Sequence, residues 1–342
     1  MLSIIALGFG LFGCAAKEEV PVVGTTTAAP YGVAGNGYST NLGTTCGIAS
    51  LPWTVSSGAL PTGLSFNGAT GEVAGIPTVA GNSTVVFAAT DSTGKTENCS
   101  VLFMVHPRTD RVSIDTNGNS VAGTNKEPSI SRTDGRFIAF TSTASTLIAG
   151  VVGQQIYVHD RQTGQPSLVS KDNFGSAGIG GVSSAASVSA DGRFVAFVST
   201  ATNLVPGVSG LQIYLHDTVG NVTSLVSQDN SGGLVAGTAV SSTPSISADG
   251  RFVAFVSQST NLLGPAVPAV LAGQVYVRDT LTNLTRLVSQ DNSGGLVPGI
   301  GLSSTPSISA DGRFVAFVSS ADNLVTAPPR AAASDVYVRA IP

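Results

Sequence analysis

Charge is what this 342-residue chain has least of: Asp, Glu, Lys and Arg together make up 11% of it, against about 25% in an average soluble protein. The net charge is −4 and no basic stripe stands out, which excludes a nucleic-acid footprint. Three histidines and three cysteines are too few and too scattered for a Cys/His zinc cluster. No segment carries the long Ala/Glu/Lys/Leu periodicity of a helical protein. There is no Gly-x-Ser-x-Gly nucleophile elbow, and no phosphate loop or dinucleotide fingerprint. No histidine stands near a convincing acid and nucleophile. An enzyme is therefore not expected, and no cofactor. What the chain has in quantity is 41 glycines and 17 prolines. That composition predicts many short strands joined by tight turns, an all-β fold, and the length suggests two domains.

The first sixteen residues, Met1 to Ala16, are almost entirely apolar. As a helix they would span roughly 24 Å, short of a bilayer core of about 30 Å. A secretion signal fits this run better than a membrane-spanning anchor. It ends in Leu11-Phe12-Gly13-Cys14, which resembles the bacterial lipobox, although no Lys or Arg precedes the apolar run. The resemblance implies a signal peptide over 1–13, lipidation of Cys14 and a membrane partner held through that lipid. Ala15 does not resemble the acidic inner-membrane retention signal, so the expected location is the cell envelope, at the outer membrane. A polar Thr/Pro/Gly-rich tether runs on to residue 30. In an exported protein Cys46 and Cys99 then form the remaining pair, and a disulfide between them is expected.

Residues 31–106 predict a small β-sandwich. Thr84–Thr90 and Ser100–Val105 are β-branched, apolar strands, with a turn at Asp91–Gly94. Leu60-Pro61-Thr62-Gly63-Leu64, then Thr70-Gly71-Glu72-Val73-Ala74-Gly75-Ile76-Pro77, resembles the Putative Ig family of bacterial surface proteins. The resemblance implies an Ig-like spacer or adhesion module without chemistry, with Trp53 as a core residue.

Residues 107–342 repeat. The segment Asp-Gly-Arg-Phe-x-Ala-Phe recurs at Asp134, Asp191, Asp249 and Asp311, at spacings of 57, 58 and 62 residues. Tyr157, Tyr214, Tyr276 and Tyr337 follow, and Leu-Val-Ser-(Lys/Gln)-Asp recurs at Leu168, Leu225 and Leu287. Aromatics at every repeated position read as packing between repeats. For the second unit the predicted strands are Ala186–Ser189, Arg193–Ser199, Gln212–His216 and Thr223–Gln228. Four strands per unit with turn-rich connections define a β-propeller blade. The hairpin and its Ile-Tyr-x-x-Asp sequel also resemble the Tol-Pal translocation (TolB-like) propeller family and its WD-repeat-like relatives, a resemblance that implies fold more than function. Arg111-Val112-Ser113-Ile114-Asp115 matches the end of a unit, and Asp335–Arg339 its third strand. The expected fold is an Ig-like β-sandwich followed by a propeller of four blades of four strands, closed by that N-terminal strand. The competing arrangements are an open curved array, or two chains joined in a larger ring.

Candidate chemistry is sparse. Arg136, Arg193, Arg251 and Arg313 follow the Asp-Gly turns; they either crown one face as an anion site or pair with nearby acids. His159 and His216 align with Arg278 and Arg339, which predicts a solvated strand end. Asp115, Asn117 and Asn119 have the spacing of a calcium loop's first ligands, but Lys126 stands where its closing carboxylate belongs. The predicted channel strands carry Ser129, Ser131, Ser187, Ser189, Ser245, Ser247, Ser307 and Ser309, with no acid expected among them. The insertions Pro206–Gln212 and Gly264–Gly273 are expected on one rim. The expected function is a non-enzymatic cell-envelope lipoprotein whose propeller is a protein- or glycan-binding scaffold. The alternatives are an extracellular propeller enzyme acting on polysaccharide or peptide, and a purely structural surface protein.

Overall fold

The computed structural model describes residues 26–48, 52–90, 93–107, 109–264, 273–293, 297–325 and 334–341. Cys14, the signal segment and most of the Gly264–Gly273 insertion lie outside the described residues. Among the described residues, no helix is long and apolar enough to cross a membrane. The chain divides into two compact units, Met1–Asp110 and Arg111–Pro342.

The first unit is a two-sheet sandwich. Its elements are β1 (Thr26–Ala28), β2 (Gly32–Val33), β3 (Tyr38–Asn41), helix α1 (Leu42–Cys46), β4 (Trp53–Ser57), β5 (Leu64–Asn67), β6 (Glu72–Gly75), β7 (Gly81–Thr90) and β8 (Thr96–His106). One sheet has the order β1-β8-β7-β4, with β2 also on β8, and the other has the order β3-β6-β5. β7 and β8 alternate inward and outward over most of their length, as strands with one buried face do. Their inward side chains Val85, Phe87, Val101 and Phe103 meet Leu42, Trp53 and Val73 in the core. Trp53 is buried there. The Leu-Pro-Thr-Gly-Leu turn needs its glycine. Gly63 has φ +94°, and a Cβ there would lie 2.1 Å from the Ile76 carbonyl oxygen. The one-turn helix starts at Asn41, whose side chain accepts the Gly43 amide as an N-cap, and it delivers Cys46 to β8. Cys46 and Cys99 are joined by a disulfide, with their Cα atoms 6.0 Å apart.

The second unit is built of four consecutive sheets. The first contains β9 (Asn125–Ile130), β10 (Phe137–Ser142), β11 (Gln155–Asp160) and β12 (Gln165–Leu168). The second contains β13 (Ser183–Val188), β14 (Phe194–Ser199), β15 (Gln212–Asp217) and β16 (Val222–Leu225). The third contains β17 (Ser241–Ile246), β18 (Phe252–Ser257), β19 (Gln274–Asp279) and β20 (Leu284–Leu287). The fourth contains β21 (Ser303–Ile308), β22 (Phe314–Ser319) and β23 (Asp335–Ala340). Each is an antiparallel meander in chain order. The sheets stack face to face. Phe197 and Tyr214 of the second pack on Ala139, Ile156 and Val158 of the first. Phe255 and Tyr276 repeat the contact on Ala196, Ile213 and Leu215, and Phe317 and Tyr337 on Ala254, Val275 and Val277. Within each sheet the Phe and Tyr rings stack at 5.8–6.0 Å between centroids. Adjacent first strands bond directly: the Val188, Ile246 and Ile308 amides donate to Ser129, Ser187 and Ser245 Oγ. The sheets thus converge along their first strands, which is the arrangement of propeller blades.

Two expectations need correction. The fourth strands are shorter than predicted. After Leu225 the chain leaves the sheet, because Ser227 Oγ, not a backbone carbonyl, accepts the Ile213 amide. Nor does the N-terminal strand complete the last blade: among the described residues β23 pairs with β22 alone. Arg111–Asp115 instead turns back on itself, with Ile114 bridged to Ser120, and Val112 packs against the core of the first blade.

Candidate functional site: the two rims of the blade array

The blade strands end on two opposite rims, and the candidate residues divide between them. On the hairpin rim each Asp-Gly turn is closed by its own side chains. Ser189 Oγ donates to Asp191 at 2.6 Å and accepts the Phe194 amide; Ser131, Ser247 and Ser309 do the same in the other blades. Three of the four candidate arginines are then held in forked ion pairs. Arg136 meets Asp160 at 2.7 Å through two nitrogens, Arg193 meets Asp217, and Arg251 meets Asp279. Each of these three guanidinium groups also lies 4.7 Å over the ring of its neighbouring phenylalanine. Arg193 holds the Asp217 carboxyl down at about 2, and Arg251 holds Asp279 well below the usual carboxylate range. Arg313 differs, since Ala340 occupies the aligned place opposite Phe314. The structure therefore spreads the four arginines one to a blade and commits three of them to internal carboxylates.

The aligned residues His159, His216 and Arg278 are buried, not solvated. His216 and Arg278 lie beneath the linker arriving from the preceding blade. Arg278 Nη1 donates to the Gln228 and Asp229 carbonyls and to Thr285 Oγ1, and Arg339 Nη1 donates to the Gln290 and Asp291 carbonyls. His216 Nδ1 lies 2.9 Å from Thr223 Oγ1. Burial pushes the His216 imidazole down to about 4; Lys171 adds to the fall and Asp217 opposes it. The folded chain keeps this ring neutral, whereas the unfolded chain protonates it below about 6.5. Stability is thus fully present above that pH and is lost as pH falls towards 4, by about 2 kcal/mol. Urea unfolding at stepped pH should show that slope, and His216→Gln should flatten it. An unchanged slope in the variant would contradict the assignment.

Along the first strands Ser129, Ser187 and Ser245 accept amides from the next blade, and Ser131, Ser189, Ser247 and Ser309 close the Asp-Gly turns. One carboxylate stands among them that the sequence reading passed over: Glu127, in β9. Burial opposes its ionisation, but the Ala185 amide at 2.9 Å, the Thr141 hydroxyl at 2.8 Å and Lys126 outweigh it and hold the carboxyl below the usual range. Ala185, Thr243 and Thr305 take its place in the other blades, and all four have positive φ at the bulge of the first strand. Its signal in the sequence was a single acid at an aligned position. Asp115 Oδ1 accepts the Asn117 and Asn119 amides, both at 2.8 Å. Asp172 closes the equivalent turn in the same way with Phe174 and Ser176. The candidate calcium ligands thus form a turn that leads into the first blade, the counterpart of the Asp172 turn that joins the first blade to the second.

The opposite rim is apolar. Val182, Val240 and Leu302 stand at the same position, just before the first strands β13, β17 and β21, and all three are exposed. Their carbonyls accept the Thr200, Gln258 and Ser320 amides at the ends of the second strands. The loops between second and third strands, including Pro206–Gln212, therefore emerge on this rim. Ile179 and Ile300, exposed by 61% and 76%, extend it.

An Ig-like sandwich followed by a propeller-type blade array is the class that the fold defines. Residues 20–105 match the family described as Putative Ig domain. No curated protein matches the chain. Among solved structures, one of two prolyl endopeptidases matches at 14% identity and a TM-score of 0.35, over 78% of this chain and 32% of that one. A GH74 xyloglucanase from Xanthomonas campestris matches at 12% and 0.32, over 76% and 33%. The propeller domain of the trilobed protease from Pyrococcus furiosus, described as having an open velcro topology, matches at 12% and 0.29, over 85% and 82%. The chain spans about a third of the length of the endopeptidase and of the xyloglucanase. These likenesses carry no argument about activity.

Proposed function

We propose that this protein is a non-enzymatic scaffold of the cell envelope, tethered by a lipid on Cys14, whose blade array binds a protein on its loop-bearing rim. The observation that carries the reading is the contrast between the rims. On the hairpin rim, the turn carboxylates and three of the four arginines are spent on internal partners. On the loop rim, apolar side chains recur in register from blade to blade and stand in solvent. An exposed apolar row flanked by loops on a rigid frame suits protein recognition. It suits glycans less, since they call for polar groups free to bond. The Ig-like unit is a spacer in this reading, and the TolB-like motif resemblance agrees with an envelope scaffold.

Chemical cross-linking in envelope extracts tests it. A partner captured by the full chain should be lost at least about tenfold with Val182→Asp, Val240→Asp and Ile300→Asp combined, equivalent to more than about 1.4 kcal/mol of binding. The melting temperature should be unchanged, because the altered positions are exposed. Retention of the partner by that variant, with its loss on altering Arg136, Arg193 and Arg251, would move the site to the other rim.

A further inference from the structure

The first strand of every blade slips register against the second, and the slip leaves a residue outside the strand pairing. In the third blade Ser242 pairs with Val256 and Ser245 with Ala254, and Thr243 falls between them. In the fourth Ser304 pairs with Val318 and Ser307 with Ala316, and Thr305 falls between. Ala185 and Glu127 hold this place in the second and first blades. A bulge residue is unpaired in its own sheet, and in the second blade its amide turns to the neighbouring blade. There the Ala185 amide donates to Glu127 Oε2 at 2.9 Å. The chain thus already holds one carboxylate on one bulge amide.

The relation between first strands repeats, because the Val188, Ile246 and Ile308 amides meet Ser129, Ser187 and Ser245 in turn. Ala185 therefore stands towards Thr243 as Glu127 stands towards Ala185, and Thr243 stands so towards Thr305. The acceptor has no counterpart in either place, since alanine ends in a methyl group and threonine in a short, uncharged hydroxyl. The backbone there is also costly. Thr243 and Thr305 are β-branched, have φ +50° and +46°, and precede Pro244 and Pro306, a combination the chain ordinarily avoids. Such strain clusters where a ligand is clamped. Both residues are exposed. Each is the third residue of its strand, β17 or β21, and the exposed Val240 and Leu302 stand just before those strands.

We propose that the Thr243 and Thr305 amides take up acidic side chains of a protein partner, as the Ala185 amide takes up Glu127. The proposal rests on the protein-binding reading of the loop rim and adds the chemistry of the segment bound there: an Asp or Glu flanked by apolar residues. The flanks cover Val240 and Leu302, and the carboxylate reaches the bulge amide beyond them. Hydrogen bonds to an ionised acceptor are about twice as strong as neutral ones.

The amide resonances of Thr243 and Thr305 in the full chain test this by NMR, with the peptide acetyl-Val-Glu-Val-amide as probe. Both should move downfield and saturate, and acetyl-Val-Gln-Val-amide should bind about tenfold more weakly. Ala185→Glu should move the Thr243 amide downfield without peptide and abolish its response, while Thr305 still responds. Should that variant misfold, the comparison of the two peptides on the unaltered chain decides. Unmoved amides, equal responses to the two peptides, or a tetramer of galacturonate that moves the amides where the peptide does not would each overturn the proposal. These shifts are read at the bulge amides, and capture of the partner is read at Val182, Val240 and Ile300, so the two readings fail separately.

Discussion

Gly250→Ala should destabilise the blade array by about 3 kcal/mol or more, lowering its calorimetric melting temperature by roughly 6–12 °C. Gly250 has φ +75°, and an alanine in that region costs about 1–2 kcal/mol on backbone grounds alone. The larger cost is steric. A Cβ would lie 2.2 Å from the Phe194 ring of the preceding blade. That ring is held between the glycine and the Arg193 guanidinium, so it cannot retreat without opening the blade interface, and overpacking of this kind adds about 1–3 kcal/mol. Gly207 supplies the control. Its φ is +81° and nothing lies within 4 Å of a Cβ there, so Gly207→Ala should cost only the backbone share. Equal losses from the two variants would show that the Phe-Gly contact does not join the blades.

Cys46→Ala with Cys99→Ala should cost the Ig-like unit about 4 kcal/mol, the chain-entropy value for the 53-residue loop that the bond closes. Both sulfurs lie in the core with Trp53 and Phe87, so the variant also loses packing. The blade array should melt as before, since its core clusters lie within Arg111–Pro342. Two free thiols in the mature protein by mass spectrometry, or an unchanged melting of the first unit, would contradict this.

Much of the fold was legible because the repeat is strict. Phe140 with Tyr157 and their counterparts recur in every unit, 17, 17, 21 and 20 residues apart, and a side chain repeated in every unit must serve what every unit shares, the contact with its neighbour. The Asp-Gly dipeptide was legible as a turn. Its second duty, making room for the phenylalanine of the preceding blade, was not, because that contact joins residues about 55 apart. The burial of His216 and Arg278 was misread for a related reason. Their exchange between histidine and arginine suggested solvent, yet both are polar groups roofed by an arriving linker, to which Arg278 donates directly and to which His216 is joined through Thr223. Glu127 was visible as an unmatched acid, but only the fold shows that the Ala185 amide and Thr141 occupy it.

By itself, the amino-acid order determined what is local or repeated: short strands, tight turns, an Ig-like hairpin pattern, and a four-strand unit with aromatic wedges. Those features follow from backbone preferences and from side chains that meet the same surroundings in each copy. The tertiary structure alone decided what happens where repetition stops. Val336 and Val277 are the same kind of residue in the same kind of strand, yet one stands in solvent and the other is buried. Burial belongs to the surface that arrives opposite a side chain, and no residue's own identity encodes whether that surface is there.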